Sequence, residues 1–117
     1  VSELDKALAV LEARRSEEEK ERKQRRLVAC AFLKSFYESD VAPSTRLKER
    51  GIASYFDGAR LVLERPDEGH FSEGLLIVVG EQGEIDVGGK SLGRYQAGQE
   101  AAKKSELIAE IIAHFSL

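Results

Sequence analysis

Five residues, Gly89-Lys90-Ser91-Leu92-Gly93, spell G-x-S-x-G. That spacing can expose a serine nucleophile on a sharp strand-to-helix turn. An acid (Glu100, Glu106 or Glu110) and then His114 follow, in the chain order of a hydrolase triad. The surroundings favour a plainer reading. Gly88-Gly89 suits a hairpin turn directly before the motif, and no helical pattern begins at Leu92. The chain is also far shorter than the fold that carries such elbows. Ser91 is therefore expected as a polar residue beside a turn, and a small serine hydrolase at Ser91 is kept as a remote alternative.

The same stretch imitates the end of a phosphate-binding loop. G-x-x-x-x-G-K-S would need glycine at position 84, where the chain has Glu84; Gly83 is one residue off. No helix pattern follows to offer its N-terminal amides. Metal binding needs clustered ligands. The one loose cluster is Glu64, Asp67, Glu68, His70 and Glu73. Its spacing matches no calcium loop, and loop carboxylates more often form a solvated rim. Cys30, His70 and His114 are too few and too scattered for zinc. No catalytic residue, metal or cofactor is expected.

Cys30 is the single cysteine, inside the apolar run Leu27-Val28-Ala29-Cys30-Ala31-Phe32-Leu33. It reads as a reduced thiol packed as a small hydrophobe. One cysteine allows no internal disulfide, which fits a cytoplasmic setting.

The most unusual composition lies in residues 14–26, RRSEEEKERKQRR, which carry no apolar side chain. Arg22, Lys23, Arg25 and Arg26 form a basic end that could contact phosphates of nucleic acid or of a lipid surface. Four glutamates precede it, and no aromatic side chain is interleaved to stack on bases. The formal net charge is −3. A solvated helix face or a protein contact is favoured; a nucleic-acid-binding accessory role is the alternative, and membrane contact is not favoured.

These side chains must be held by a helix. The run has no Gly, no Pro and no β-branched residue, and its long side chains lose little freedom in a helix. Glu18 with Arg22, Glu19 with Lys23 and Glu21 with Arg25 have favourable i,i+4 spacing, each worth about 0.2–0.5 kcal/mol, while Glu17 opposes Glu21. Ser2 and Asp5 have capping-box spacing. Pro43 bounds the other end. One helix is expected over residues 2–39, about 57 Å at 1.5 Å per residue. A compact chain of this length has a radius of gyration near 13 Å, so the helix should overhang its own domain.

Leu4, Leu8 and Leu11 fall on one stripe of this helix. A second apolar patch, Val28, Phe32 and Phe36, lies at the other end. The best continuous seam between them would bury Arg15, Glu18, Arg22 and Arg25, which a dry coiled coil does not tolerate. A full-length coiled coil is therefore rejected. Residues 1–26 are expected as the charged overhang and residues 27–117 as a single α+β domain.

Residues 27–33 are apolar on all sides and should be buried, with Phe36 and Tyr37 extending the apolar face. Residues 43–50 read as a polar connector with room for one helical turn after Ser44. Strands are expected at 52–56, 60–65, 75–79, 84–87 and 91–95, with 75–79 central. Asp57-Gly58 should turn the first hairpin with both residues at positive φ. A last helix over residues 98–115 should bury Ala101, Ile108, Ile111, Ile112 and Phe115, with Leu107 at the margin. Glu100 has the spacing to pair with Lys104. This helix should pack on the sheet beside residues 27–37.

The fold class is thus α+β: a long N-terminal helix, a four- to five-stranded mostly antiparallel sheet, and a C-terminal helix packed on it. The 42% hydrophobic content and about 90 residues beyond the charged run suffice for a modest core. No run approaches the 18 apolar residues of a membrane span, and no signal peptide is visible. The chain starts at Val1 and has no Met, which leaves room for a natural N-terminus upstream. Residues 1–50 hold 12 basic and 10 acidic side chains, and residues 51–117 hold 6 and 11. That asymmetry fits head-to-tail association or a basic patch on the helix. The expected function is a protein–protein interaction or oligomeric scaffold domain without catalysis. Leu4, Leu8 and Leu11 would be its interface with another copy or another protein.

Overall fold

The computed structural model describes residues 2–66 and 72–117. Helix α1 (Glu3–Phe36) is followed by a π-helical turn (Tyr37–Val41) and the short helix α2 (Thr45–Glu49). Strands β1 (Ala53–Asp57), β2 (Arg60–Pro66), β3 (Ser72–Val79), β4 (Glu84–Val87) and β5 (Lys90–Arg94) then form the sheet, and α3 (Glu100–Phe115) closes the chain. The strands pair antiparallel in the order β1-β2-β3-β4-β5. Four successive hairpins need no crossover, and the short apolar run after Gly74 lands in the middle as β3. The fold is the α+β class read from the sequence.

Alternation decides the faces of the sheet. Leu61, Leu63, Leu75, Ile77, Val79, Ile85 and Val87 point to the helices and are buried. The same core takes Ala29, Phe32, Leu33 and Phe36 from α1, and Leu107, Ile111 and Phe115 from α3. Phe32 stacks on Tyr95 with ring centroids 4.5 Å apart. Tyr37 stacks on Phe56 at 6.0 Å.

Helix α1 starts where its cap allows. Ser2 Oγ accepts the N–H of Asp5 at 3.1 Å. At the far end the α-helix stops three residues short of position 39. Ala42 N–H reaches back five residues to the carbonyl of Tyr37 at 2.8 Å. The widened turn places Val41 on the same buried side as Phe36, a phase that α-helical spacing would miss. Ser44 Oγ then caps α2 by accepting the N–H of Leu47 at 3.3 Å.

Three local expectations are corrected. The first hairpin turns at Gly58-Ala59, because Asp57 pairs with Arg60; of the turn residues only Gly58 has positive φ. Residues 27–33 are not buried all round. Leu27 is 65% exposed and Ala31 is exposed, since the sheet covers one side of α1 only. On α3, Ala101, Ile108 and Ile112 are exposed, and the buried line is Lys103, Leu107, Ile111 and Phe115. The lysine enters the core because its ammonium is satisfied: Nζ donates to the carbonyl of Leu92 and meets the Glu106 carboxylate at 3.2 Å.

Candidate interaction surface

Every described residue from 2 to 24 is exposed. The molecule is 70 Å long but only 33 and 19 Å across, with a radius of gyration of 19.0 Å. Those dimensions follow from α1, whose 34 residues span about 51 Å. Leu4 is 69% exposed, and Leu8 and Leu11 are 47% each. Their spacing of four and three residues puts them on one side of the helix. Continued along α1 at 3.6 residues per turn, the same side carries Ala29, Leu33 and Phe36. The leucine stripe therefore faces the direction in which the chain's own core lies, beyond the end of that core.

Of the second apolar patch, Phe32 and Phe36 are consumed by the core and Val28 is half-buried. Leu4, Leu8 and Leu11 have no such cover among the described residues.

Arg22, Lys23, Arg25 and Arg26 do not make one patch. Arg22, Lys23 and Arg26 are exposed, while Arg25 is half-buried. Arg25 sits where the β3–β4 turn touches α1: a Cβ on Gly83 would lie 2.8 Å from the Arg25 carbonyl oxygen. Its Nε is buried without an acceptor among the described residues. The spaced pairs Glu18–Arg22, Glu19–Lys23 and Glu21–Arg25 come no closer than 4.0 Å among the described residues. The charges other than Arg25 extend into water and remain available to another surface.

A groove of about 370 Å³ opens between the end of α1, α2 and α3, with Phe36, Val41, Leu47, Ile108 and Ile112 in its wall. Asp40 and Arg46 stand at its polar margin. Asp40 holds Lys104 at 2.8 Å, the pairing that sequence spacing assigned to Glu100. Glu100 instead caps the start of α3, accepting Gly98 N–H at 3.3 Å and the hydroxyl of Tyr95. The bond from its own backbone N–H first, then those from Gly98 and Tyr95, hold its carboxyl below the usual range. Burial first, then the bond to Glu100, pushes the Tyr95 phenol up to about 12.

The candidate chemical motifs fall on ordinary secondary structure. Gly88 and Gly89, at φ 57 and 88, form the β4–β5 turn. Ser91 lies on β5, and its Oγ accepts Gly93 N–H at 3.2 Å. Lys90 leaves the turn to pair with Glu110 of α3 at 2.9 Å, and that carboxylate raises its pKa. No helix follows Ser91 until Glu100. His114 is exposed in the last turn of α3, edge-on to Phe115 at 4.8 Å. Asp67, Glu68 and His70 of the loose acidic cluster lie outside the described residues. Among the described residues no three His, Cys, Asp or Glu side chains group as metal ligands.

Cys30 is half-buried, and desolvation raises its thiol pKa against the lowering influence of Arg26. No described helix is long and apolar enough to cross a membrane. Comparison with known protein families, curated proteins and solved structures finds no match.

Proposed function

We propose that the protein is a protein–protein interaction module whose working surface is the overhanging part of α1. One observation carries this reading. Leu4, Leu8 and Leu11 form an exposed apolar stripe held off their own core by a solvated, charged stretch of rigid helix. Ordering such a helix in water gains little by itself, because helix stability in proteins comes mostly from a packed face. A face of this kind gains when a partner covers it.

Light-scattering mass after size exclusion tests the reading, on the full chain and on Leu8→Glu/Leu11→Glu. Both positions are exposed, so the double variant should keep its fold. The expected result is an oligomer that dissociates in the variant, or a monomer whose captured partner protein is lost in the variant. Oligomeric state and partner binding both unaffected by the double change would overturn the reading. Salt-sensitive retention on DNA or RNA, lost on charge reversal at Arg22, Lys23 and Arg26, would instead support a nucleic-acid accessory role.

A further inference from the structure

We infer that the partner is a second copy of the chain, lying antiparallel, with each leucine stripe seated in the other copy's groove between α1, α2 and α3. This rests on the interface reading above and adds the identity, direction and receptor of the contact.

The first argument is reach. Leu8 and Phe36 are about 42 Å apart along one rigid helix, at 1.5 Å per residue. The stripe cannot fold back into its own groove while α1 stays straight. An antiparallel second helix brings them together. If Leu8 of one copy lies level with Phe36 of the other, paired positions sum to 44 and the two-fold axis passes near Arg22. Both grooves are then filled by equivalent contacts, the closed symmetry expected of a homodimer.

The second argument is charge. Glu17, Glu18, Glu19 and Glu21 lie on one side of that axis, and Arg22, Lys23, Arg25 and Arg26 on or beyond it. Antiparallel pairing sets Glu18 level with Arg26 and Glu21 with Lys23, and brings Glu19 within one residue of Arg26, while Arg25 is held by the β3–β4 turn. Parallel pairing would set each glutamate against its own copy. Glu19, Lys23 and Arg26 also share one side of the helix at i, i+4 and i+7, so acid and base face the neighbour together. Exposed pairs of this kind add little affinity, but they select orientation. The hydrated crossing also avoids the dry charged seam that a coiled coil would impose.

The third argument is the direction of the stripe. The leucines face the same way as Ala29, Leu33 and Phe36. A two-fold axis along that direction sets the helices side by side with both cores on the same side. Each overhang then covers the helical layer of the other copy. There it meets Ile108, 37% exposed, and Ile112, 45% exposed, both in the groove wall. The acidic first turn, Glu3 and Asp5, comes level with the end of the π-helical turn, near Arg46 at the groove margin.

The experiment uses the full chain with sedimentation equilibrium and disulfide trapping. The native chain should be a dimer. Ile112→Glu, at an exposed position, should raise the dissociation constant at least tenfold while leaving the circular dichroism spectrum intact. Glu19→Arg should weaken the dimer, and Glu19→Arg/Arg26→Glu should recover most of the loss. In a Cys30→Ser background, Lys23→Cys, near the axis on the side that faces the neighbour, should cross-link under mild oxidation and Leu4→Cys should not. Cross-linking through Leu4→Cys would show parallel helices and overturn the inference. A dimer sensitive to Leu8→Glu/Leu11→Glu but indifferent to Ile112→Glu would overturn the groove seating and leave the interface reading standing. A monomer at all concentrations would remove the second copy, and a partner protein captured through the leucines would still uphold the broader reading.

Discussion

Among the described glycines, Gly83 is the one where an added methyl group meets helix backbone most closely. It stands in the β3–β4 turn at φ +80, where an L side chain is strained. A Cβ there would meet the Arg25 carbonyl oxygen at 2.8 Å and its carbonyl carbon at 3.1 Å. Both are helix backbone, so the clash is relieved only by lifting α1 from the turn. The left-handed conformation costs about 1–2 kcal/mol, and forced overpacking adds about 1–3 kcal/mol. Gly83→Ala should therefore lose about 2–5 kcal/mol. Gly58→Ala is the internal control: φ is +59, but nothing lies within 4 Å, so only the conformational cost applies, about 1–2 kcal/mol. Urea unfolding at equal protein concentration compares the two. The midpoint should fall about twice as far for Gly83→Ala, with the slope unchanged. Equal shifts would refute the claim that the turn bears directly on the backbone of α1.

Three further outcomes follow from the packing of α1 and α3 on the sheet. A tyrosine should ionise near pH 12 in an absorbance titration and disappear from the profile in Tyr95→Phe. Because the folded phenol binds its proton more tightly than the unfolded one, its contribution to stability is whole below about pH 10 and is lost as pH rises towards 12; thermal melts across that range check the sign. Lys103→Met keeps the aliphatic stem but leaves the Leu92 carbonyl without its donor, a loss of about 1–3 kcal/mol; a more stable variant would show that apolar filling suffices there. Cys30 should react with a thiol reagent more slowly in the folded chain than in urea at the same pH, since burial disfavours the thiolate.

Local rules carried most of the architecture. Alternation and Gly-rich turns placed the five strands to within about three residues at their ends, and the uncharged run after Gly74 identified the central one. The charged stretch read as solvated helix, and every described residue up to Gln24 is exposed. Tertiary choices were less legible. Hydropathy assigned Ile108 and Ile112 to the core of α3 over Lys103, because a pattern does not reveal that a strand carbonyl waits for the ammonium. The π-helical turn has no composition of its own; it arises because Phe36 and Val41 must face one core. The basic residues read as one cluster in a line of letters, but the turn at Gly83 takes Arg25 out of it. The groove gave no signal at all, since its walls come from α1, α2 and α3, with Phe36 and Ile112 standing 76 residues apart. The exposed leucine stripe was legible, because an apolar stripe beyond a charged run is a one-dimensional pattern.

The order of the strands also bears on how quickly the chain reaches this shape. Each strand pairs with its neighbour in sequence, so the sheet can assemble by successive short loop closures, and little entropy is lost in bringing distant segments together. Helix α1 can form on its own timescale, well under a millisecond, because its charged middle needs no tertiary contact. What remains is one docking event, in which Phe32 meets Tyr95 and the end of α1 settles on β3 and β4. That event joins segments some sixty residues apart and is the natural place for the folding barrier. Weakening the Phe32–Tyr95 stack would then slow folding, whereas Leu4, Leu8 and Leu11 would leave the folding rate untouched.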